Sequence, residues 1–399
     1  VEGSEFARAC RIYAPVGGHE DLLAYLVRRL LENGANTSFV NRIADEDLPV
    51  AEIIRDPVVV VTSEQDAGVH PAPIPRPPFI FGPGRRNSQG LALEESHVRD
   101  ALLASMRETL RDAIAIGPLV AGKPLEAGGP RRELLCSHER RRSLGTVVEA
   151  TPALADEAAE KAARAHKSWD ALGGEKRAEI LEKTAGLYER DRAALRAVMV
   201  REAGKTLDNA LGDVREAVDF LRYYANEARR LFSRPMELPG PTGEKNDRRL
   251  ARRGPFACIR PRNFPRANCT GQVSAALGAG NPVLAKPAEQ TPLAAHLATR
   301  LFHEAGVPED VLQLLPGGGD VGAALVANER VRGIAFTGSN DTASRIQQSL
   351  ARRQRGIVPF IAETGGINAM IVDSTALPEQ VTRDVLRSAF DSAGQRCSA

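Results

Sequence analysis

Cys397 and Glu363 are the two side chains best suited to covalent catalysis. Cys397 lies among small residues in the segment GQRCSA, and small neighbours leave room for a substrate carbon to approach the sulfur. Glu363 ends an apolar run in the segment AETGG, where a carboxylate can act as a general base. Together they indicate a thiolate nucleophile with a carboxylate base. Taken singly, each residue is also compatible with a purely structural role, as a buried cysteine or a strand-end glutamate.

Asn263 is a candidate for stabilising negative charge during such a reaction. It lies in the segment RPRNFP, where two prolines stiffen the backbone on either side of it. A rigidly held side-chain amide can donate a hydrogen bond to a developing oxyanion. The alternative is an asparagine that serves only to form a turn.

Several loops carry groups suited to a dinucleotide. Residues 317–322 (GGGDVG) fit the pattern GxGxxG between a predicted strand and a predicted helix. The acidic residue that usually follows the next strand is missing, since Gly338 and Ser339 stand there, at a predicted helix N-terminus that favours a pyrophosphate. Lys286 and Glu289 offer a donor and an acceptor for ribose hydroxyls. Ordinary turns and a surface ion pair explain any one loop, whereas the loops together favour a cofactor.

The elements that must position these residues predict an α/β fold with a doubly wound parallel sheet. Helices are predicted at about 94–114 and across 152–231, and from residue 255 short apolar runs alternate with helical stretches. This spacing requires right-handed crossovers between parallel strands, and ligands of such sheets bind beyond the carboxyl ends of the strands. The predicted strands lie at 256–260, 283–285, 311–315 and 333–336.

The N-terminal residues have a different character. Residues 19–33 predict an amphipathic helix with a polar stripe opposite its leucines. Two neighbouring arginines in that stripe could bind a carboxylate, although a solvated charged face is the alternative. The stretch from about 45 to 90 is rich in Pro and Gly and is predicted to be a linker. The polar stripe consists of Tyr25, Arg28, Arg29 and Glu32.

Composition excludes several classes of protein. The 399 residues suggest two or three domains, and 53 Lys+Arg against 51 Asp+Glu give no argument for a nucleic-acid or anionic-membrane partner. Five scattered cysteines argue against a disulfide framework and a metal site, and for a cytoplasmic location. The sequence given has no signal-peptide pattern and no apolar run of about 18 residues, so we expect neither a secreted nor a membrane-spanning protein. The chain starts without Met and stops within a periodic segment, so we expect a fragment of a longer protein.

Five motifs resemble the aldehyde dehydrogenase superfamily, with matching order and spacing along roughly 115–399. The resemblance implies that Cys397 is the nucleophile and Glu363 the base, and that Asn263 and the Cys397 amide form an oxyanion hole. It also implies an NAD site with four of the residues already considered, namely Lys286, Glu289, Gly338 and Ser339. The motifs are NFP at 263–265, KPAEQTP at 286–292, FTGS at 336–339, ETGG at 363–366 and FDSAGQRCSA at 390–399.

The first 45 or so residues resemble the last helix of the proline dehydrogenase (β/α)8 barrel. Both parts together resemble the bifunctional proline utilization A family, in which an FAD-dependent proline dehydrogenase precedes an NAD-dependent glutamate-semialdehyde (pyrroline-5-carboxylate) dehydrogenase. The resemblance implies small-molecule substrates, proline and glutamate semialdehyde, and a homo-oligomer when intact. It implies a proline site formed by Tyr13, Tyr25, Arg28 and Arg29, with Glu32 near the flavin. The predicted domains are a barrel end at 1–45, a linker and helical connection at 46–114, an NAD-binding domain at 115–350 and the start of a truncated catalytic domain at 351–399.

Departures from the family pattern leave a second hypothesis open. Arg262 stands where the family has tryptophan, Arg266 where it is apolar, and Ile367 where a polar residue is usual. The alternative is therefore a catalytically inactive fragment or degenerate copy that serves as a nucleotide-binding or packing module. We expect the 399 residues alone to be inactive, because little chain follows Cys397 to cover it. A monofunctional aldehyde dehydrogenase of other specificity is disfavoured by residues 1–45.

Overall fold

The computed structural model divides the chain into two compact units, residues 1–75 and 76–399. In the first unit the described residues include the helical turn Val50–Ile53, and the predicted helix at 19–33 lies outside them apart from Leu22, which is helical. The residues that the structure describes are 22, 42–45, 47–56, 58–59, 62–63, 76–109, 111–126, 128–261, 263–354 and 356–399.

A five-stranded sheet, parallel throughout, forms the centre of the second unit. Its strand order is β10-β9-β6-β7-β8, so the chain runs outward from β6 through β7 to β8 and then returns to β9 on the other side of β6. The direction of winding therefore reverses between β6 and β9, which opens a crevice at their carboxyl ends. The strands are β6 (Phe256–Ile259), β7 (Val283–Lys286), β8 (Leu312–Leu314), β9 (Gly333–Gly338) and β10 (Phe360–Thr364).

Helices cover both faces of this sheet, and the predicted doubly wound fold is confirmed. Successive side chains of a strand point to opposite faces, so Cys258 packs into one core while Ala257 and Ile259 pack into the other. The α-helices of the second unit are α1 (Ser96–Thr109), α2 (Pro152–Ala171), α3 (Gly173–Arg190), α4 (Arg192–Arg201), α5 (Leu207–Phe232), α6 (Ala267–Gly278), α7 (Pro292–Ala305), α8 (Gly319–Ala327), α9 (Asn340–Ala351) and α10 (Pro378–Val385).

The boundaries of the helices follow capping chemistry visible in the sequence. Thr151 accepts a hydrogen bond from the Leu154 amide at the start of α2, and Thr206 does the same for Asn209 at the start of α5. Gly306 ends α7 with a left-handed φ of 118°, a conformation that glycine adopts without strain.

The predicted helix over 94–114 is too long. Helix α1 ends at Thr109, and Ile114–Ile116 forms a strand, β1, that pairs in parallel with β3 (Ser143–Val148). The β-branched isoleucines favour this pairing, which tertiary contact makes possible and local periodicity does not reveal. The small sheet is completed by β2 (Arg131–Leu135), which is antiparallel to β3. A two-stranded ribbon, β4 (Met236–Leu238) with β5 (Asn246–Arg248), lies between α5 and β6 in the sequence.

The end of the predicted linker packs against α5. Ser88 is buried, and its amide and hydroxyl donate to the Asp219 carboxylate at 2.8 and 2.7 Å. Asn226 donates to the Gly84 carbonyl at 2.7 Å. The Gly84 carbonyl and the Ser88 amide thus find partners on α5, which holds the end of the predicted linker against this helix. Across the described residues no helix is both long enough and apolar enough to cross a bilayer.

Candidate functional site

A cavity of about 890 Å³ lies at the carboxyl edge of the central sheet, where the winding reverses. Asn263, Glu363 and Cys397 all line it, although they come from three separate parts of the sequence. Gly338 also lines it, from the end of β9. Ligand sites of doubly wound proteins lie at this place, so the fold brings the predicted catalytic groups to the expected edge.

Asn263 follows β6 in a loop whose later residues are held by hydrogen bonds. The Arg266 guanidinium is fully buried and donates to the Ala294 carbonyl at 2.9 Å. The Ala267 amide, at the start of α6, donates to the Asp213 carboxylate at 2.7 Å. Asn263 itself is half-buried and lines the cavity.

Glu363 lies at the end of the edge strand β10. Its position in the ladder is opposite Thr337 of β9, next to the loop that begins α9. The Thr337 hydroxyl is held by a hydrogen bond from the Gln272 side-chain amide at 3.0 Å. Glu363 is exposed to the cavity and to solvent, as a carboxylate that takes a proton from water must be.

Cys397 follows an unusual turn. Ser392 and Ala393 have φ angles of 58° and 54°, which non-glycine residues adopt rarely, and Gly394 follows with 67°. The turn is held at its start, where Asn209 donates to the Asp391 carboxylate at 3.1 Å. Strained turns of this kind are found where a reactive side chain must be presented to a substrate.

Hydrogen bonds hold the segment on both sides of the sulfur. The Arg396 guanidinium donates to the Ser388 carbonyl at 3.2 Å, and Asn368 donates to the Cys397 carbonyl at 2.7 Å. Cys397 is exposed, whereas Cys258 is buried in β6, where burial raises the pKa of its thiol to about 12. An accessible sulfur beside a cavity can form a thiolate and react, and a buried thiol of such high pKa cannot.

Lys286 and Glu289 form a pair at the carboxyl end of β7. The Lys286 ammonium donates to the Glu289 carboxylate at 3.3 Å, with the lysine stem buried and the carboxylate partly exposed. The backbone of Glu289 is fixed by Arg132, whose guanidinium donates to its carbonyl at 2.6 Å. This gives one donor and one acceptor at a fixed spacing, as a diol such as ribose requires.

Gly338 and Ser339 lie where β9 meets α9. Ser339 is the N-cap of α9, and its hydroxyl accepts a hydrogen bond from the Thr342 amide at 3.3 Å. The first amides of α9 therefore point outward from the sheet edge and favour an anion. The glycine-rich segment 317–322 precedes and enters α8, and a side chain at Gly317 would come within 2.6 Å of Val321.

The predicted proline-site residues and Arg262 lie outside the described residues. Their roles stay predictions. The residues concerned are Tyr13, Tyr25, Arg28, Arg29, Glu32 and Arg262.

Sequence reasoning missed the buried ion pair of Lys205 and Asp213. Its ammonium and carboxylate lie 3.1 Å apart, with exposed side-chain fractions of 2% and 0%. A signal was present, because Asp213 interrupts the apolar stripe that runs from Ala210 through Val214 and Ala217 along α5. A charged residue on such a stripe indicates a buried partner.

Comparison with known proteins identifies the families that the two parts of the chain match. Residues 128–399 match the aldehyde dehydrogenase family and residues 2–42 match proline dehydrogenase. The chain belongs to the aldehyde dehydrogenase family. More particularly it is PutA-like, with a proline dehydrogenase fragment followed by an aldehyde dehydrogenase domain.

Relatives of two kinds support this assignment. The bifunctional protein PutA of Klebsiella aerogenes is 49% identical over 407 residues, covering 100% of this chain and 30% of the relative. The 1-pyrroline-5-carboxylate dehydrogenase of Geobacillus thermodenitrificans is 35% identical over 305 residues, covering 75% of this chain and 59% of the relative. The chain thus spans less than a third of the length of the curated bifunctional relatives it matches.

Solved structures show the same fold. A crystal structure of proline utilization A from Bradyrhizobium japonicum has a TM-score of 0.81 at 46% identity, covering 97% of this chain and 36% of that one. The 1-pyrroline-5-carboxylate dehydrogenase from Thermus with bound NAD has a TM-score of 0.74 at 34% identity, covering 79% and 62%.

Proposed function

We propose that this chain carries the nucleotide-binding and nucleophile-bearing part of an NAD-dependent enzyme that oxidises L-glutamate γ-semialdehyde (pyrroline-5-carboxylate) to glutamate. The observation that carries the proposal is the convergence of Asn263, Glu363 and Cys397 on one cavity at the switch point of the sheet. The substrate follows from the relatives named as 1-pyrroline-5-carboxylate dehydrogenases and bifunctional PutA proteins.

The cofactor-facing groups fit NAD. The buried stem of Lys286 leaves its ammonium paired with Glu289 at the strand end, so both can turn to ribose hydroxyls. Gly338 and Ser339 offer backbone amides at the start of α9 for the pyrophosphate. When bound, NAD supplies the oxidising power by accepting two electrons together with the hydrogen of the aldehyde carbon.

The residues of the chain account for the remaining steps. The Cys397 thiolate attacks the aldehyde carbon, a carbon–sulfur bond forms, and the carbonyl oxygen becomes an oxyanion. The Asn263 side-chain amide and the Cys397 backbone amide donate to that oxygen. Oxidation of this thiohemiacetal leaves a thioester on Cys397. Glu363 takes a proton from water, which attacks the thioester, and the thiolate leaves as glutamate is formed.

We propose that the N-terminal segment contributes to a second, FAD-dependent proline dehydrogenase in a bifunctional protein. Support comes from the match of residues 2–42 to proline dehydrogenase and from the neighbouring arginines Arg28 and Arg29. The two guanidinium groups would bind the carboxylate of proline. In the longest natural polypeptide that contains this chain, Arg28→Met with Arg29→Met should raise KM for proline at least tenfold, and an unchanged KM would refute the role.

We also propose a cytoplasmic location and a homo-oligomer. The location agrees with the described cysteines, which are all free thiols. Light scattering of the longest natural polypeptide tests the second proposal, and a monomer mass at micromolar concentration would refute it.

One observation favours the alternative of a degenerate copy. The three guanidinium nitrogens of Arg260 are buried without a hydrogen-bond partner among the described residues, and burial lowers the pKa of Arg260 to about 10. An unpaired buried cation beside the Asn263 loop costs stability. Titration of the purified chain with NAD tests the packing-module form of this alternative, because a packing module shows no saturable binding. A degenerate copy that still binds NAD would show saturable binding and no NADH formation in the activity assay below.

The experiment that tests the proposed activity is NADH formation from L-glutamate γ-semialdehyde by the longest natural polypeptide that contains this chain. We expect turnover in the wild type and in Cys258→Ala, which removes a buried thiol. Cys397→Ala should lose more than 99% of it. Turnover within tenfold of wild type in Cys397→Ala would refute the proposed mechanism.

A further inference from the structure

A buried ion pair contacts the loop that carries Asn263. Lys205 is in the turn between α4 and α5, and Asp213 lies two turns along α5. Their ammonium and carboxylate are 3.1 Å apart and almost completely removed from solvent. A buried pair of this kind gives little net stability, because removing two charges from water costs about as much as their attraction returns. Its contacts therefore indicate what else it does.

Both members of the pair contact the Asn263 loop. The second oxygen of Asp213 accepts the hydrogen bond of the Ala267 amide at 2.7 Å, which caps α6 from a different helix. The Lys205 ammonium lies 4.2 Å from the centroid of the Phe264 ring, close enough for a cation–π interaction. The loop is thus held one residue and four residues after Asn263.

The segment that supplies Lys205 also holds the neighbouring loop. Glu202 accepts hydrogen bonds from the amides of Leu293 and Ala294 at 2.7 and 2.8 Å, at the start of α7. The Ala294 carbonyl in turn accepts from Arg266, at the far side of the Asn263 loop. Helix α7 follows the Lys286–Glu289 loop, so residues 202–205 link the oxyanion side of the site to its cofactor side.

We propose that Lys205 and Asp213 are positioning residues that hold the Asn263 amide where the oxyanion forms. The proposal rests on the proposed function, since it assigns to the pair a role in the same reaction. A donor must lie within about 0.5 Å of its productive place to stabilise a transition state, and two charged contacts to one short loop provide that restraint.

The first test compares single and double variants in the longest natural polypeptide that contains this chain. Asp213→Ala should lower kcat by about 10- to 100-fold, while KM for NAD stays within twofold because Lys286 and Glu289 are on another loop. In an Asn263→Ala background the same change should lower kcat by less than threefold. Losses that multiply in the double variant, or an unchanged kcat in Asp213→Ala, would overturn the proposal.

A matched control lies on the same helix. Asp219 also accepts a backbone amide from a distant loop, that of Ser88. Asp219→Ala removes a comparable amide contact without leaving a buried charge unpaired, so it should lower the unfolding temperature and leave kcat within twofold. If Asp213→Ala does not fold, Lys205→Met combined with Asp213→Leu removes both charges and leaves none buried alone. This double variant should show the same loss of kcat as Asp213→Ala. Lys205→Arg keeps the positive charge and should retain at least half of the wild-type kcat. Any other pattern contradicts the proposal.

Hydrogen exchange gives a readout that needs no turnover. The backbone amide hydrogens within residues 263–269 should exchange at least tenfold faster in Asp213→Ala than in wild type or Asp219→Ala. The same increase is expected in the double variant Lys205→Met with Asp213→Leu. Unchanged exchange there refutes positioning by the pair. If the wild type forms no NADH but Asp213→Ala still shows the faster exchange, the proposed function is refuted and the positioning of the loop by the pair is not. The two failures are therefore distinguishable.

Discussion

Cys397 differs from the other described cysteines in its access to solvent. Cys136, Cys258 and Cys269 are buried, whereas Cys397 is exposed and lines the cavity that Asn263 and Glu363 also line. The strained turn at Ser392 and Ala393 presents it there. We therefore expect Cys397 to react faster than the three buried thiols, because it is accessible to solvent.

The first prediction uses this difference. Iodoacetamide should alkylate Cys397 at least tenfold faster than Cys136, Cys258 or Cys269, because burial blocks the approach of the reagent. Peptide mapping by mass spectrometry after short exposure measures the rates. Saturating semialdehyde should protect Cys397. Equal rates at the buried cysteines, or no protection, would contradict its place in the site.

At the scale of elements, each strand-end loop carries a different group of the predicted site residues. The loop after β6 carries Asn263, the loop after β7 carries the Lys286–Glu289 pair, and the loop after β9 starts α9 at Ser339. Because the strands are parallel, all three loops emerge at one edge. A change in one loop should therefore affect one function and spare the others.

A second prediction concerns the loop after β7. Lys286→Met should raise the Kd for NAD by about 10- to 100-fold, since a hydrogen bond from a charged donor contributes about 1.5–3 kcal/mol. Isothermal titration of the folded chain measures it. Lys161→Met is the control, because Lys161 also pairs with a glutamate, Glu157, at 3.1 Å but lies on α2. Equal losses of affinity in both variants would show that Lys286 has no special role.

A third prediction concerns α7, which contains the buried His296. Burial lowers the pKa of His296 to about 4 from 6.5, so the folded chain keeps it neutral where the unfolded chain already binds a proton. The unfolded state then binds more protons between these pH values, and the free energy of unfolding falls as the pH decreases from 6.5 to 4. This one group should contribute about 3 kcal/mol to that fall.

Denaturant unfolding of wild type and His296→Gln at several pH values measures this contribution. The stability difference between them should shrink or reverse in favour of the variant below pH 6. His97→Gln, at an exposed position on α1, should follow the wild-type profile. Parallel profiles of wild type and His296→Gln would show that His296 is protonated equally in both states.

The features of the helices and strands that could be predicted from the sequence are those set by neighbouring residues in the chain. Thr151, Thr206 and Gly306 mark helix boundaries by their own hydrogen bonds and φ angles, so their effect is readable in sequence. The strand Ile114–Ile116 was not predictable, because its pairing with β3 is a long-range contact. Asp213 interrupts the apolar stripe of α5 and so indicates a buried partner, but nothing local identifies Lys205, eight residues earlier, as that partner.

At the scale of the whole molecule, strand order turns scattered motifs into one site. Alternating strands and helices from residue 255 predict a parallel sheet, and its order of β10-β9-β6-β7-β8 places the switch point between the loops of Asn263 and Gly338. The edge of a sheet at which loops meet is predictable from periodicity and handedness. Which loops are neighbours depends on strand order, which the spacing of motifs does not determine.

The central claim is that Cys397 forms a covalent intermediate within the cavity it shares with Glu363 and Asn263. The most direct test is mass spectrometry of Glu363→Gln in the longest natural polypeptide that contains this chain, after one turnover with NAD and L-glutamate γ-semialdehyde. With its base removed, the thioester should persist, so we expect a glutamyl adduct on the Cys397 peptide together with one equivalent of NADH. One equivalent of NADH with no adduct, or an adduct on another residue, would contradict the claim.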